Sequence, residues 1–219
     1  MRFAREAAPF VAPLAVVALA LAAAGWRRSA LVAGLATVAV LLFFRIPRRS
    51  PDADPSAVLA PANGVVTRIE TVREPRLGGE PYRRVVTFLS VFDVHVQRSP
   101  VAAKVVECAY TAGRKVAAFR KDAGEVNESH WTVLEDEHGR RIAVQQIAGL
   151  LARRVVSYCR AGRSFERGEL IGLIKFGSRV DLYVPADYRL AVEPGARLVE
   201  GRTVVARPPD DRGPMIEAR

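Results

Sequence analysis

The chain has 219 residues, enough for one domain of ordinary size plus an appendage. Half of the residues are hydrophobic, and 33 basic against 23 acidic side chains give a formal charge of +10. The basic residues are scattered, with no Lys-rich run and little aromatic interleaving, so an anionic membrane is favoured over nucleic acid as the surface they meet.

Two apolar runs open the chain. Residues 7–26 carry no charge over 20 positions, about 30 Å as a helix and one hydrocarbon thickness. Residues 29–44 form a second uncharged run of 16, about 24 Å, which is short for a span. Arg27-Arg28 separates them, and Arg45, Arg48 and Arg49 follow. The simplest reading is an apolar helical hairpin with Trp26 and the arginines near the interfaces. Its short second arm either spans a locally thinned bilayer or dips in and returns. The exit side and the N-terminus are modestly the more basic, which puts the main domain on the cytoplasmic face of the cell membrane. A rival reading is a secretory signal peptide, with Arg2 and Arg5 as its basic start and Ala22-Ala23-Ala24 as its cleavage pattern. That reading leaves the second apolar run without a role.

Ser50-Pro51-Asp52-Ala53-Asp54-Pro55 is a polar, Pro-rich linker, and beyond it the texture changes to short strands. Residues 64–69 alternate, residues 83–92 are rich in Val, Phe and Leu, and Lys104-Val105-Val106-Glu107 reads as another strand. Residues 131–135 and 141–147 flank Glu137-His138-Gly139-Arg140, a hairpin with Gly in its turn. Residues 148–159 fit helix or strand equally. Residues 162–169 make a turn, a strand and a turn, and Glu193-Pro194-Gly195-Ala196 is a further turn. Regular short strands with Gly and Pro turns predict a mainly β (α+β) fold, a β-sandwich or barrel-like domain after the hairpin. Residues 208–219 are Pro- and charge-rich and read as a disordered tail.

Few residues carry a chemical signal. Cys108 and Cys159 lack metal-ligand spacing and read as buried free thiols, which suits a reducing compartment. No paired-His, HExxH or CxxC pattern exists, so no metal site is expected. Pro61-Ala62-Asn63-Gly64 is a turn by composition. As a strand, residues 92–97 would place Asp93, His95 and Gln97 on one face and Phe92, Val94 and Val96 on the other. That arrangement suits a strand lining a cleft, and equally a histidine on a solvated face. His138 sits in a hairpin turn, whereas His130 follows a polar cluster that is a cap, a loop or part of a site. Gly177-Ser178, between the apolar runs 170–174 and 180–185, is by itself a turn or bulge.

Four blocks stand in order along the chain: Phe88-Leu89-Ser90-Val91-Phe92-Asp93-Val94-His95-Val96-Gln97-Arg98-Ser99-Pro100, Asn127-Glu128, Gln146-Ile147-Ala148-Gly149 and Phe176-Gly177-Ser178-Arg179-Val180-Asp181. Taken together, they resemble the short type of phosphatidylserine decarboxylase proenzyme. The resemblance runs from about residue 61 to residue 185 and extends to the apolar hairpin and its linker. It implies a zymogen. Ser178 attacks the Gly177 carbonyl to give an ester, β-elimination cuts the chain, and hydrolysis leaves a pyruvoyl group at the start of the small chain. That ketone forms a Schiff base with an amine and serves as the electron sink that decarboxylation requires. A large chain 1–177 and a small chain 178–219 would stay together as strands of one sheet. Gly177 lacks a Cβ and so lets the hydroxyl approach the carbonyl.

The resemblance also implies that His95 does acid–base work, that phosphatidylserine in the membrane is the substrate and phosphatidylethanolamine the product, and that an ether-lipid analogue is a close variant. Two positions depart from the long type's Asp-His-Ser arrangement: its aspartate is Asn63 here, and its second histidine is Arg98. His95 is then the shared base, with Asp93, Glu128 and Asn63 as supporting candidates. Arg179 and Arg98 are candidates for the phosphate or carboxylate of the substrate, or else form surface ion pairs. The organisation expected is a membrane-associated hairpin over 1–49, a linker over 50–60, a catalytic β domain over 61–207 and the tail over 208–219, with homo-oligomerisation left open. The alternative from another class is a non-catalytic, membrane-tethered β-sandwich carrier or scaffold. A carrier needs a lysine on an exposed hairpin tip, and Lys175 lies in an apolar run.

Overall fold

The two apolar runs fold into α1, Ala8–Ala23, and α2, Arg27–Phe43, packed side by side as a hairpin. They belong to a computed structural model that describes residues 2–51, 54–114, 116–117, 120, 122–150, 154–175 and 178–209. Gly177, residues 210–219 of the expected tail and residues 52–53 of the expected linker lie outside the described residues. No residue of α1 is buried, and in α2 burial is confined to Phe43. With the turn before it, α1 gives a helix from Arg5 to Ala23 that is long and apolar enough to cross a membrane. The 17 residues of α2 reach about 26 Å. Within that apolar helix the Thr37 hydroxyl donates to the Ala33 carbonyl at 2.8 Å, so its polar group is satisfied locally.

At the base of the hairpin, β1 (Arg2–Phe3) pairs with β2 (Arg45–Ile46). The rest of the chain is strand, apart from α3 at Ala123–Val126 and short turns. In chain order the strands are β3 (Val58–Leu59), β4 (Gly64–Arg73), β5 (Pro81–Leu89), β6 (Val96–Arg98), β7 (Ala103–Thr111), β8 (Ser129–Glu135) and β9 (Arg141–Ala148). They continue with β10 (Arg154–Ser157), β11 (Ser164–Phe165), β12 (Leu170–Lys175), β13 (Ser178–Pro185), β14 (Arg189–Leu190), β15 (Arg197–Leu198) and β16 (Val204–Arg207). Eight of them form one antiparallel sheet in the order β11-β7-β8-β9-β13-β5-β4-β15. Two three-stranded sheets, β10-β12-β6 and β14-β16-β3, complete the body, so the fold is mainly β with an N-terminal helical hairpin.

Strand β13 is the spine of the large sheet, hydrogen-bonded to β5 on one side and β9 on the other. Its period of two sends Ser178, Val180, Leu182 and Val184 to one face, and the three apolar residues join the main core. Arg179, Asp181 and Tyr183 take the opposite face, where Tyr183 packs with Trp131, Val133 and Ala143.

The sheet β10-β12-β6 has a second layer over it. Leu173, Val94 and Val96 meet Ala4, Ala7, Phe43 and Phe44 at the base of the hairpin. The hairpin is therefore seated on the domain by its base alone, with its length standing clear of it.

Several sequence expectations change in detail. The ambiguous stretch after residue 148 contains a strand, β10, because pairing with β12 decides what Val155-Val156 left open. Residues 57–60, expected in the linker, are fully buried, and β3 pairs with β16. The apolar Ala57-Val58-Leu59-Ala60 run belongs to the packed body. His130 is a buried residue of β8, its Nδ1 3.4 Å from the Thr132 hydroxyl, and burial lowers its pKa.

Candidate active site

Ser178 heads β13, opposite Leu89 of β5 and Ala148 of β9. It is fully buried, and its Oγ has no hydrogen-bond partner among the described residues. A hydroxyl left unpaired away from water costs about 1–3 kcal/mol. Among the described residues nothing relieves this cost at Ser178, the residue that the sequence reading expects to be the nucleophile.

His95 is held on β12, the strand that precedes β13 in the chain. The Ile174 N–H donates to the His95 carbonyl at 3.1 Å, four positions before Ser178. The segment before it is not the strand that alternation predicted, and regular pairing begins only at Val96. The cause is a closed turn. Both the Ser90 N–H and the Ser90 hydroxyl donate to Asp93 Oδ2, at 2.9 and 2.8 Å. Arg197 donates to Asp93 Oδ1 at 2.6 Å. The Asp93 carboxylate thus holds the turn, and the residue meets His95 through its main chain instead. His95 Nδ1 lies 2.9 Å from the Asp93 carbonyl oxygen. A carbonyl only accepts, so Nδ1 carries the proton and the neutral ring has its lone pair at Nε2. The Phe43 ring covers the imidazole with centroids 4.2 Å apart. Burial pushes the His95 pKa down to about 4, against smaller opposing effects of Asp93.

Two glutamines link the layers here. Gln97 donates to the His95 carbonyl at 2.9 Å, and Gln146 donates to Gln97 Oε1 at 2.8 Å. Gln146 Oε1 is buried without a partner among the described residues, on the same sheet face as Ser178. Gly172 makes the close approach feasible, since a Cβ there would stand 2.4 Å from the Val156 oxygen and 2.8 Å from Gln146 Nε2. The sequence placed Gln97 only on a shared strand face with Asp93 and His95, placed Gln146 only in a motif, and gave Phe43 no role. The Gln146–Gln97 bond and the Phe43–His95 contact join residues far apart in sequence, and no local pattern signals them.

The other candidates are engaged in holding the fold. Glu128 Oε1 accepts from the Val155 N–H at 3.0 Å, joining β8 to β10. Asn63 Oδ1 accepts from the Glu200 N–H at 2.7 Å. Arg98 donates to the carbonyls of Gly168 (2.8 Å) and Pro47 (2.7 Å), with its Nε 3.9 Å from Glu200, which Arg49 clamps with two bonds of 3.0 Å. The two positions that depart from the long-type pattern therefore lie together, around the buried Glu200. Arg179 is buried against Asp181, with bonds of 2.6 and 2.5 Å, and Arg98 is buried beside Glu200, so the pairs lie inside the protein and not on the surface as the sequence alternative had them. Lys175 Nζ lies 5.5 Å over the Phe10 ring, packed onto the hairpin base instead of standing at a bare tip as a carrier lysine would.

The family model for phosphatidylserine decarboxylase matches residues 37–206. Relatives named phosphatidylserine decarboxylase proenzyme come from Symbiobacterium thermophilum, Rhodococcus erythropolis and Geotalea daltonii. The first is 43% identical, covering 94% of this chain and 95% of the relative. The second is 48% identical, covering 92% and 85%. The third is 40% identical, covering 91% and 93%. These matches define a decarboxylase, with a buried serine at the head of a central strand and a buried histidine held on β12 as its candidate site. The chain belongs to the phosphatidylserine decarboxylase family.

Proposed function

We propose that this chain cuts itself between Gly177 and Ser178 and then decarboxylates phosphatidylserine to phosphatidylethanolamine, using a pyruvoyl group made from Ser178. One observation carries the reading: the Ser178 Oγ is buried, unpaired among the described residues, and held at the head of β13 between β5 and β9. The relatives' proenzyme names support processing. In the cut, the Ser178 Oγ bonds to the Gly177 carbonyl carbon as the peptide C–N bond breaks, giving an ester. Loss of an α-proton and of the Cβ–Oγ bond then releases Gly177 as a carboxylate. Water converts the remaining dehydroalanine to the pyruvoyl group and ammonia.

Once present, a pyruvoyl group supplies the electron sink for the carbanion left when carbon dioxide departs. The chain's own residues manage protons and position. The substrate amine arrives as an ammonium and has to lose a proton. His95 takes it at Nε2, a role that suits a ring kept neutral by burial. The imidazolium then returns a proton to the α-carbon. Gln97 and Gln146 hold the His95 main chain against the large sheet. The hairpin keeps the domain at the bilayer, where the substrate stays, with the domain on the cytoplasmic side.

The test is carbon dioxide release and phosphatidylethanolamine formation from phosphatidylserine vesicles. The wild-type protein is expected to turn over, and Ser178→Ala to show none. Carbon dioxide release by that variant would assign the chemistry to another group.

A further inference from the structure

We propose that Val91 and Phe92 form a second membrane contact, an apolar wedge flanked by Arg45 and Arg197 that enters the headgroup–acyl boundary of an anionic bilayer beside the hairpin. This rests on the membrane reading of the hairpin and adds to it a surface outside the two apolar helices.

Phe92 is 84% exposed and Val91 43%, at the tip of the turn that precedes His95. A phenylalanine so placed forgoes most of its burial energy in water. The tip is not slack. Asp93 closes the turn onto Ser90 through two hydrogen bonds, and the Asp93 N–H donates to the Ser90 carbonyl at 3.0 Å. The two apolar side chains are therefore presented by a fixed turn.

Location names the occupant. One guanidinium, Arg45, donates to the Leu42 carbonyl at the end of α2 (2.6 Å) and to the Phe92 carbonyl (2.8 Å). The tip thus stands against the end of an apolar hairpin whose length is unburied, and its surface continues the hairpin's own. Arg197, 67% exposed along its side chain, holds the other flank through Asp93. An aromatic tip between two arginines matches the layering of a bilayer interface, with rings at the acyl boundary and cations at the phosphates. His95 is three residues from Phe92. Insertion of the wedge would hold the site at headgroup depth, with the hairpin as tether and the turn as a second support.

The experiment places a tryptophan reporter at the tip of the full chain, Phe92→Trp in a Trp26→Phe background, read as the difference from the Trp26→Phe chain, whose remaining tryptophan is the buried Trp131. Vesicles of equal parts phosphatidylglycerol and phosphatidylcholine are added, with and without brominated acyl chains. The expected result is a blue shift of the tip reporter's emission and quenching by the brominated lipid. If those vesicles quench the wild-type chain more than the Trp26→Phe chain while the tip reporter is unmoved, the wedge is wrong and the tether stands. If neither fluorophore responds, the membrane reading fails, and the wedge with it. A shift of the tip reporter that follows protein concentration without vesicles would assign the tip to a second copy of the chain and overturn the proposal. As a second arm, Phe92→Asp is expected to lower turnover of phosphatidylserine in vesicles about tenfold or more, the cost of losing one buried aromatic contact. Turnover of a soluble short-chain phosphatidylserine should stay unchanged. Equal loss on both substrates would make Phe92 a support of the His95 turn and contradict a membrane role.

Discussion

A histidine under a phenylalanine ring and a serine without a hydrogen-bond partner among the described residues are the two groups on which the proposed chemistry turns. Burial keeps His95 neutral, and that makes a testable linkage. Its pKa is about 4 in the folded chain and near 6.5 in the unfolded chain, so the folded state binds fewer protons between those values. The stability that goes with a neutral His95 is complete above pH 6.5 and is lost as pH falls toward 4. Between pH 7 and pH 5 the loss is about 2 kcal/mol. Urea unfolding in detergent at the two pH values should show this decrement in the wild-type chain, and His95→Gln should shrink it. An identical decrement in both would mean that the ring titrates normally. Ser178 and His95 were legible in the sequence through their motifs. The face that Asp93, His95 and Gln97 were expected to share was not, because Ser90 and Asp93 close a turn and the strand starts only at Val96.

At the scale of elements, β13 is the part whose integrity the site needs most. Its outer face carries Arg179 and Asp181, bonded in bidentate fashion with neither side chain reaching solvent. Removing one partner strands the other charge, at about 3–5 kcal/mol. Asp181→Ala should therefore lower the unfolding free energy by about that amount in urea titration, and a loss under about 1 kcal/mol would show that the guanidinium finds water or another partner. The apolar run over residues 180–185 made this strand readable from sequence. The start of β4 was readable as a turn, yet its reason was hidden. Gly64 has φ +143°, and a Cβ there would stand 2.2 Å from the Phe88 oxygen on β5. The end of the supposed linker was misjudged for a similar reason: the Ala57-Val58-Leu59-Ala60 run gains its strand only by pairing with β16, which lies far off in sequence. Strand pairing over such distances is what local patterns do not encode.

The molecule as a whole is a β body carrying an apolar hairpin on one side, with the catalytic candidates at the hairpin's base. Phe43 joins the two parts, since it ends α2 and covers His95. The proposed cut falls where it does not loosen the body. Beyond it, β13 lies between β5 and β9, β15 pairs with β4, and β16 pairs with β3. The small part thus contributes strands to two sheets of the large part, and the halves should remain one particle after the peptide bond is gone. Intact mass of the purified protein under denaturing conditions tests self-cleavage at Ser178 most directly. Two chains are expected, residues 1–177 and 178–219, the smaller lighter by one ammonia than a plain Ser178 start and blocked to N-terminal sequencing. A single uncut chain of 219 residues, or a cut elsewhere, would contradict it.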